Sequence, residues 1–420
     1  MKAIRAGVLI DGTGAASSAD MMIQIAEGRI TSILPAPQAE LPDDVLIIDA
    51  TDGVVMPGMI DLHVHLRNPS TVDVPADRRY KYRIETEPNL AVFYAAHAAH
   101  ITLMSGFTTL RNMGGVEYVA LREAIDAELI EGPRILASGM VLMTGGHTGR
   151  TLPRTLPRVY PHAAWDTADG VAGVRKRVRE LVFAGADFIK FDAGGGVHYP
   201  DIRLYSKAET RAIVDEAHNL GVRVAAHAHG REAILRAVVA GVDTLEHGTF
   251  MDNACIEEMA KRGTVFVPTL AIMYDSLTRG AQWGYSTEVL EKYRRLHETR
   301  MQAVSTAHEA GVPIALGTDS SGWLAPHGCN AVEFQLLADS GLSDMDSILA
   351  GTSVAAGAAG IGDMVGTIAQ GMKADIVVLN NNPLENIASL ADPDNIRMVL
   401  RDGRFVAPPI KPAVLTLPRS

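Results

Sequence analysis

Eight short apolar runs, separated by amphipathic stretches, set the tightest limit on how this chain can fold. The runs fall at 54–62, 107–111, 134–142, 187–192, 222–227, 242–247, 264–269 and 313–318. Helix-like periodicity occupies gaps between them, for example over 167–184, 206–219, 230–240, 254–262 and 287–310. The joints carry punctuation. Ser206 followed by Glu209 reads as a capping box, and Gly221 stops that helix. One phrase linking helix end to strand recurs as Ala184-Gly185-Ala186-Asp187, Ala240-Gly241-Val242-Asp243 and Ala310-Gly311-Val312-Pro313. Eight such units predict an α/β fold, a (β/α)8 TIM barrel over residues 57–365. An open doubly wound sheet is the alternative, and no G-x-G-x-x-G turn supports it.

The two ends of the chain have a different pattern. Apolar and polar positions alternate between Asp11-Gly12, Glu27-Gly28 and Asp402-Gly403, which are hairpin signals. Residues 1–56 and 366–406 are therefore expected to form one small β-sandwich domain, with the barrel inserted between them. Residues 407–420 carry four prolines and read as a loose tail.

In a barrel of this kind, chemistry sits at the carboxyl ends of the strands. His63 and His65 end the first strand in GMIDLHVHL, and residues two apart in a strand face one side. Lys190 lies near the end of the fourth, in ADFIKFD. Burial favours its neutral amine, which can take up carbon dioxide as a carbamate. His227 ends the fifth strand, His247 the sixth, and Asp319 the eighth, in IALGTDSS. Four imidazoles, a carbamate and a carboxylate suit two divalent ions, zinc foremost. Singly, a strand histidine is more often a core residue, a strand-end lysine reaches water, and an aspartate before Ser-Ser caps a helix. Six of them at one end of five strands make the joint reading the stronger one.

His147, in TGGH after the third strand, lies on the catalytic face and is a candidate for substrate contact. His229 points inward by alternation, to meet substrate or to bond a ligand. Tyr199 and Tyr205, after Lys190, are further candidates for substrate contact. Arg111, Arg150, Arg154 and Arg158 are candidates for holding a substrate carboxylate in bidentate fashion. His97 and His100 lie three apart on an outer helix and lack the helical zinc pattern. His218, His297 and His308 are expected on helix surfaces, and His162 and His198 fall in loops.

A net charge of −11, with no basic run, argues against a nucleic-acid partner. Two cysteines make no disulfide framework and fit a reducing compartment. The first residues lack a signal-peptide core, and no apolar stretch reaches the roughly 18 residues of a membrane span. A cytoplasmic protein without a membrane partner is the expectation.

GMIDLHVHL, the strand-four lysine, HAHG, EHG and GTDSS together resemble the amidohydrolase superfamily. TTLRNMGG, TGGH, IVDEAHNLGVRVAAHAHG and AVVAGVDTLEHGT resemble its branch of imidazolonepropionase-related enzymes and metal-dependent Xaa-Pro dipeptidases. Ochratoxin-type amidases belong to that branch. The resemblance implies that His63, His65 and Asp319 hold one metal and His227 and His247 the other. Lys190 would bridge them as N6-carboxylysine. It implies attack of a metal-bridging hydroxide on an N-acyl amino acid or dipeptide, with Asp319 moving the proton, His147 near the carbonyl, and a C-terminal amino acid released. It also implies a homo-oligomer. Opening of a cyclic amide, as in imidazolone or hydantoin chemistry, is the alternative. A non-catalytic scaffold would be marked by lost ligands, and every position here is filled. Two features depart from the branch: Asn112 follows Arg111 where an aspartate is common, and 149–161 is rich in proline and arginine.

Overall fold

The computed structural model describes residues 1–66, 86–147, 167–322 and 324–406. The N-terminal strands are β1 (Lys2–Leu9), β2 (Ser18–Ala26), β3 (Arg29–Pro35) and β4 (Leu46–Pro57). The barrel strands follow: β5 (Met59–Val64), β6 (Phe107–Asn112), β7 (Arg134–Val141), β8 (Phe188–Asp192), β9 (Arg223–Ala228), β10 (Thr244–His247) and β11 (Val265–Val267). The chain then returns to the small domain as β12 (Ile376–Leu379), β13 (Ile396–Arg401) and β14 (Arg404–Phe405).

Both termini build one seven-stranded mixed sheet, in the order β14-β13-β12-β4-β1-β2-β3. The two halves expected of a sandwich are continuous through β4, which pairs in parallel with β1 and antiparallel with β12. Period-two alternation places Ile4, Ala6, Ile23, Ile25, Ile376 and Val378 in one buried cluster. The turns at Glu27-Gly28 and Asp402-Gly403 take positive φ at both residues, the backbone twist that two-residue hairpins favour. Arg134, at the start of β7, clamps this domain to the barrel through Asp375 at 2.6 Å and Asp402 at 3.0 Å.

The apolar run expected as one strand over 54–62 divides at Gly58. Val54–Pro57 complete β4, and only Met59 onward enters the barrel. Strands β5 to β11 are all parallel and follow chain order around the barrel. The eighth staves off an open edge without forming a regular strand: it touches its neighbours through isolated bridges at Ile314 and Ser320. Backbone bonds still close the ring. Ala315 N–H donates to Phe266 O on β11, while Leu62 N–H donates to Leu316 O and His65 N–H to Ser320 O. Two features explain the irregularity. Pro313 has no N–H to offer. At Gly317 a Cβ would stand 2.4 Å from Val267 and 2.9 Å from His63, so the backbone passes too close for any side chain. Closure excludes the open doubly wound sheet.

The helices lie where periodicity puts them, including Lys207–Asn219 and Thr287–Glu309. The capping box forms as read: Ser206 N–H donates to Glu209 Oε2 at 2.8 Å and Glu209 N–H to Ser206 Oγ at 3.3 Å. Glu209 Oε1 also accepts the Gly170 N–H of the preceding helix at 2.6 Å. Ser206→Ala is expected to cost about 1 kcal/mol, read as a lower urea midpoint. Ser206→Asp should keep the wild-type midpoint, and an equal loss in both would show that the cap is not what stabilises this turn. One surface expectation fails. His297 is buried, because it lies beside the stripe Leu296, Arg300, Val304 and Ala307 that packs inward.

Candidate metal centre

Alternation along the barrel strands aims alternate side chains at the axis, and the ends of those strands supply a dense polar cluster. His63 lies on β5 and His65 one residue beyond its end. Across the closure, Asp319 N–H donates to His63 O at 2.7 Å. Beneath them, buried Asp61 accepts from His63 N–H, Thr318 N–H, Thr318 Oγ and Asn330 Nδ2, tying the first stave to the eighth. The result brings His63, His65 and Asp319 together. Asp319 Oδ1 lies 3.2 Å from His65 Nε2 and 3.6 Å from His63 Nε2.

A second cluster forms opposite. His227, His229 and His247 each offer a ring nitrogen, all within 4.8 Å of one another. The His229 and His247 rings stack at 4.8 Å, and both sit near-perpendicular to His227. His63 closes on His247 at 5.0 Å between ring centroids. Burial, then the charges of neighbouring rings, and for His229 and His247 that of Arg300, holds all three imidazoles well below their ordinary range. Burial likewise lowers His63. Neutral rings keep a lone pair for a cation.

Lys190 sits between the clusters. In register it faces Ala225, two residues below His227, so its four methylenes must carry the nitrogen upward. The side chain is 3% exposed. Its charge acts on His63, His227, His229 and Asp319. Among the described residues nothing donates to, accepts from or ion-pairs with its amine.

The ring nitrogens that face away from the clusters are held from behind. His63 Nδ1 lies 2.7 Å from Glu246 Oε2, and Glu246 Oε1 takes Arg111 Nη2 at 2.8 Å. Burial pushes the Glu246 carboxyl up, but the charge of Arg111 and the bond to His63 outweigh it and bring it to about 2. His247 Nδ1 lies 2.7 Å from Thr269 Oγ, and His229 Nδ1 lies 2.8 Å from Thr249 Oγ. His227 Nε2 faces Gly195 O at 3.4 Å. Partners of this sort fix ring orientation at metal sites.

Backbone strain concentrates at the same rim. His247, Thr269 and Asp319 have φ of 71°, 54° and 58°. Left-handed backbone at non-glycine residues costs about 1–3 kcal/mol each and gathers at functional sites. At His247 it has a direct use. Thr244 and Glu246 face the axis by alternation, which would turn His247 outward; the left-handed turn at His247 re-aims its ring.

The remaining candidates separate. His147 stacks on His227 with ring centroids 4.5 Å apart. A Cβ at position 196 would meet His147 Cε1 at 2.6 Å, so Gly196 leaves the space this ring occupies. Tyr199 is exposed in the loop after β8. Tyr205 is a correction: it is buried against Phe191, with its hydroxyl donating to Ala168 O, away from the cluster. Arg111 is a second correction. It lies inside the barrel over the Phe188 ring, donating to Leu62 O, Thr244 Oγ and Glu246, and no substrate carboxylate can reach it. Strand alternation explains this, since Arg111 is an inward-facing position of β6. Arg150, Arg154, Arg158 and His162 lie outside the described residues.

Glu246, Thr249, Thr269, Arg300 and His327 also belong to the centre, and strand patterns do not single them out. His327 sets its Nε2 3.2 Å from His65 O. Arg300 donates from Nε to Thr249 Oγ at 2.9 Å and from Nη1 to Thr269 O at 3.0 Å. A charged residue on the apolar stripe of its helix was the available signal.

A model of the amidohydrolase family matches residues 54–406. Ochratoxinase from Aspergillus niger is 31% identical over 379 residues, 86% of this chain and 77% of that protein. Imidazolonepropionase from Rhizobium rhizogenes is 25% identical over 387 residues, 86% of each chain. A solved Xaa-Pro dipeptidase, with methionine bound in its active site, is similar at a TM-score of 0.85 and 32% identity. That likeness covers 96% of this chain and 99% of the dipeptidase. Among the described residues no helix is long and apolar enough to cross a membrane.

Proposed function

Because the chain belongs to the amidohydrolase family, we propose that it cleaves the amide bond of an N-acyl amino acid or dipeptide and frees the C-terminal amino acid. The observation that carries this reading is Lys190, buried between two sets of metal-competent side chains with no ion pair to its amine among the described residues. An uncompensated buried ammonium is costly. Carbamate formation relieves that cost: the neutral amine attacks carbon dioxide, a N–C bond forms, and one proton leaves for solvent. The product is an anion with two oxygens, one for each side of the cluster.

His63, His65 and Asp319 would hold one divalent ion, His227 and His247 the other, and the carbamate of Lys190 both. Lone-pair placement supports this division. Glu246 can only accept, so the proton of His63 is on Nδ1 and its Nε2 is free. Gly195 O can only accept, so His227 carries its proton on Nε2 and offers Nδ1. Two divalent cations, zinc foremost, supply water activation near neutral pH and a Lewis acid for the carbonyl. Asp319 takes a proton from the attacking water and passes it to the departing nitrogen. His147, stacked beside His227, stands near the reacting carbonyl.

The names of the relatives support the substrate class: one is an ochratoxinase, another a dipeptidase with an amino acid in its site. A substrate panel tests it. Dipeptides and N-acyl amino acids with a free carboxylate should be hydrolysed at least about tenfold faster in kcat/KM than their carboxamides, a difference of roughly 1.4 kcal/mol. Faster opening of cyclic ureides would move the assignment to the imidazolonepropionase side of the family.

A further inference from the structure

His227, His229 and His247 form one cluster, yet their proton wiring differs. The contrast lies in two threonines. Thr269 Oγ–H donates to Pro268 O at 2.7 Å, so its oxygen is left to accept from His247 Nδ1–H. His247 therefore presents the lone pair of Nε2 to the cluster. Thr249 is wired the opposite way. Its oxygen already accepts Arg300 Nε–H at 2.9 Å. Its own proton needs an acceptor, and among the described residues His229 Nδ1, at 2.8 Å, is the one in reach. A hydroxyl carries a single proton. Reversing this bond would leave a buried hydroxyl proton without a partner, which native interiors avoid. His229 Nδ1 is then the acceptor and its proton sits on Nε2. His63, His227 and His247 each turn a lone pair inward; His229 turns an N–H inward.

We propose that His229 is a hydrogen-bond donor to the substrate and not a metal ligand, with Thr249 and Arg300 as the positioning residues that keep its proton on Nε2. An N–H aimed at the space beside His227 and His247 needs an acceptor there. The carbonyl oxygen of a bound amide is the acceptor that the proposed reaction brings, and it gains negative charge as the carbon becomes tetrahedral. Arg300 suits its task. It is buried on the inward stripe of Thr287–Glu309, and its Nη1 bond to Thr269 O fixes the guanidinium against both threonines at once. The inference rests on the proposed amide hydrolysis for the identity of that oxygen, but not for the proton placement.

The test compares wild type with His229→Ala, His229→Gln and Thr249→Val, each loaded with zinc and dialysed. Metal per protomer is measured together with kcat and KM. All four are expected to hold the same metal. His229→Ala should lose about 100-fold in kcat with KM nearly unchanged, the usual effect of deleting one donor to a developing oxyanion. His229→Gln, whose amide N–H stands near the position of Nε2, should recover about tenfold of that loss. Thr249→Val should lose roughly tenfold in kcat, because the tautomer is no longer enforced. Loss of one metal equivalent in His229→Ala and His229→Gln overturns the proposal, as does full kcat in both. If the wild type cleaves no member of the substrate panel, the proposed function falls. Metal retained in the His229 variants would still uphold His229 as a non-ligand, and metal lost would still overturn it.

Discussion

Lys190→Ala is expected to lose bound metal and to lower kcat/KM by on the order of 1,000-fold, about 4 kcal/mol of transition-state stabilisation. The reasoning is geometric. Lys190 is the group placed between the His63/His65/Asp319 and His227/His247 sets, and its side chain has no partner of its own among the described residues. Alanine removes three buried methylenes and the amine, and leaves a space beside Ala225. A short carboxylic acid such as acetate or propionate fits that space and restores two oxygens between the ion sites. Partial recovery of both metal and activity with millimolar carboxylate is therefore expected. Lys190→Met fills the same volume without an oxygen and should resist rescue. Metal analysis and initial rates, with and without added acid, decide the matter. A fully active Lys190→Ala protein would remove the carbamate from the site.

Asp319→Asn is expected to lower kcat by about 100- to 10,000-fold while leaving metal bound. Asparagine keeps an oxygen for an ion but cannot shuttle a proton. It also tolerates the left-handed backbone that Asp319 adopts at φ 58°, so the fold should not suffer. Asp319 is more open than His63: its side chain is 18% exposed against 1%. Burial raises its carboxyl, but His63 and His65 outweigh that and hold it below the usual carboxylate range. It therefore starts ionised, as a base should. Activity near wild type in a metal-loaded Asp319→Asn protein would give the proton transfer to another residue.

Much of this centre was legible because barrel chemistry depends on local rules. His63, His227 and Asp319 stand near the ends of predicted strands and fall in the two neighbouring clusters, and the charge of Lys190 acts on both. The Ser206 capping box and the Glu27-Gly28 and Asp402-Gly403 hairpins were readable for the same reason. Each follows from contacts within a few residues. The misread side chains involve neighbours that the sequence pattern does not show. Arg111 looked like a solvent-facing carboxylate clamp, but its strand position turns it onto Glu246, 135 residues away. Tyr205 looked like a pocket residue until Phe191 and Ala168 enclosed it. His297 looked like surface because the inward stripe of its helix is defined by its neighbours and not by its own composition.

Strand and helix period, turn chemistry and the kind of side chain available at each stave end were set by the amino-acid order alone, because these depend on short-range sterics and hydrogen bonds. Closure of the ring through Gly317, the left-handed turn that re-aims His247, and the side of each imidazole that bears a proton were decided by tertiary structure. The physical reason is that proton placement and desolvation depend on which group stands opposite in space. Thr249 and Thr269 are the same residue type, yet Arg300 and Pro268 O give them opposite roles.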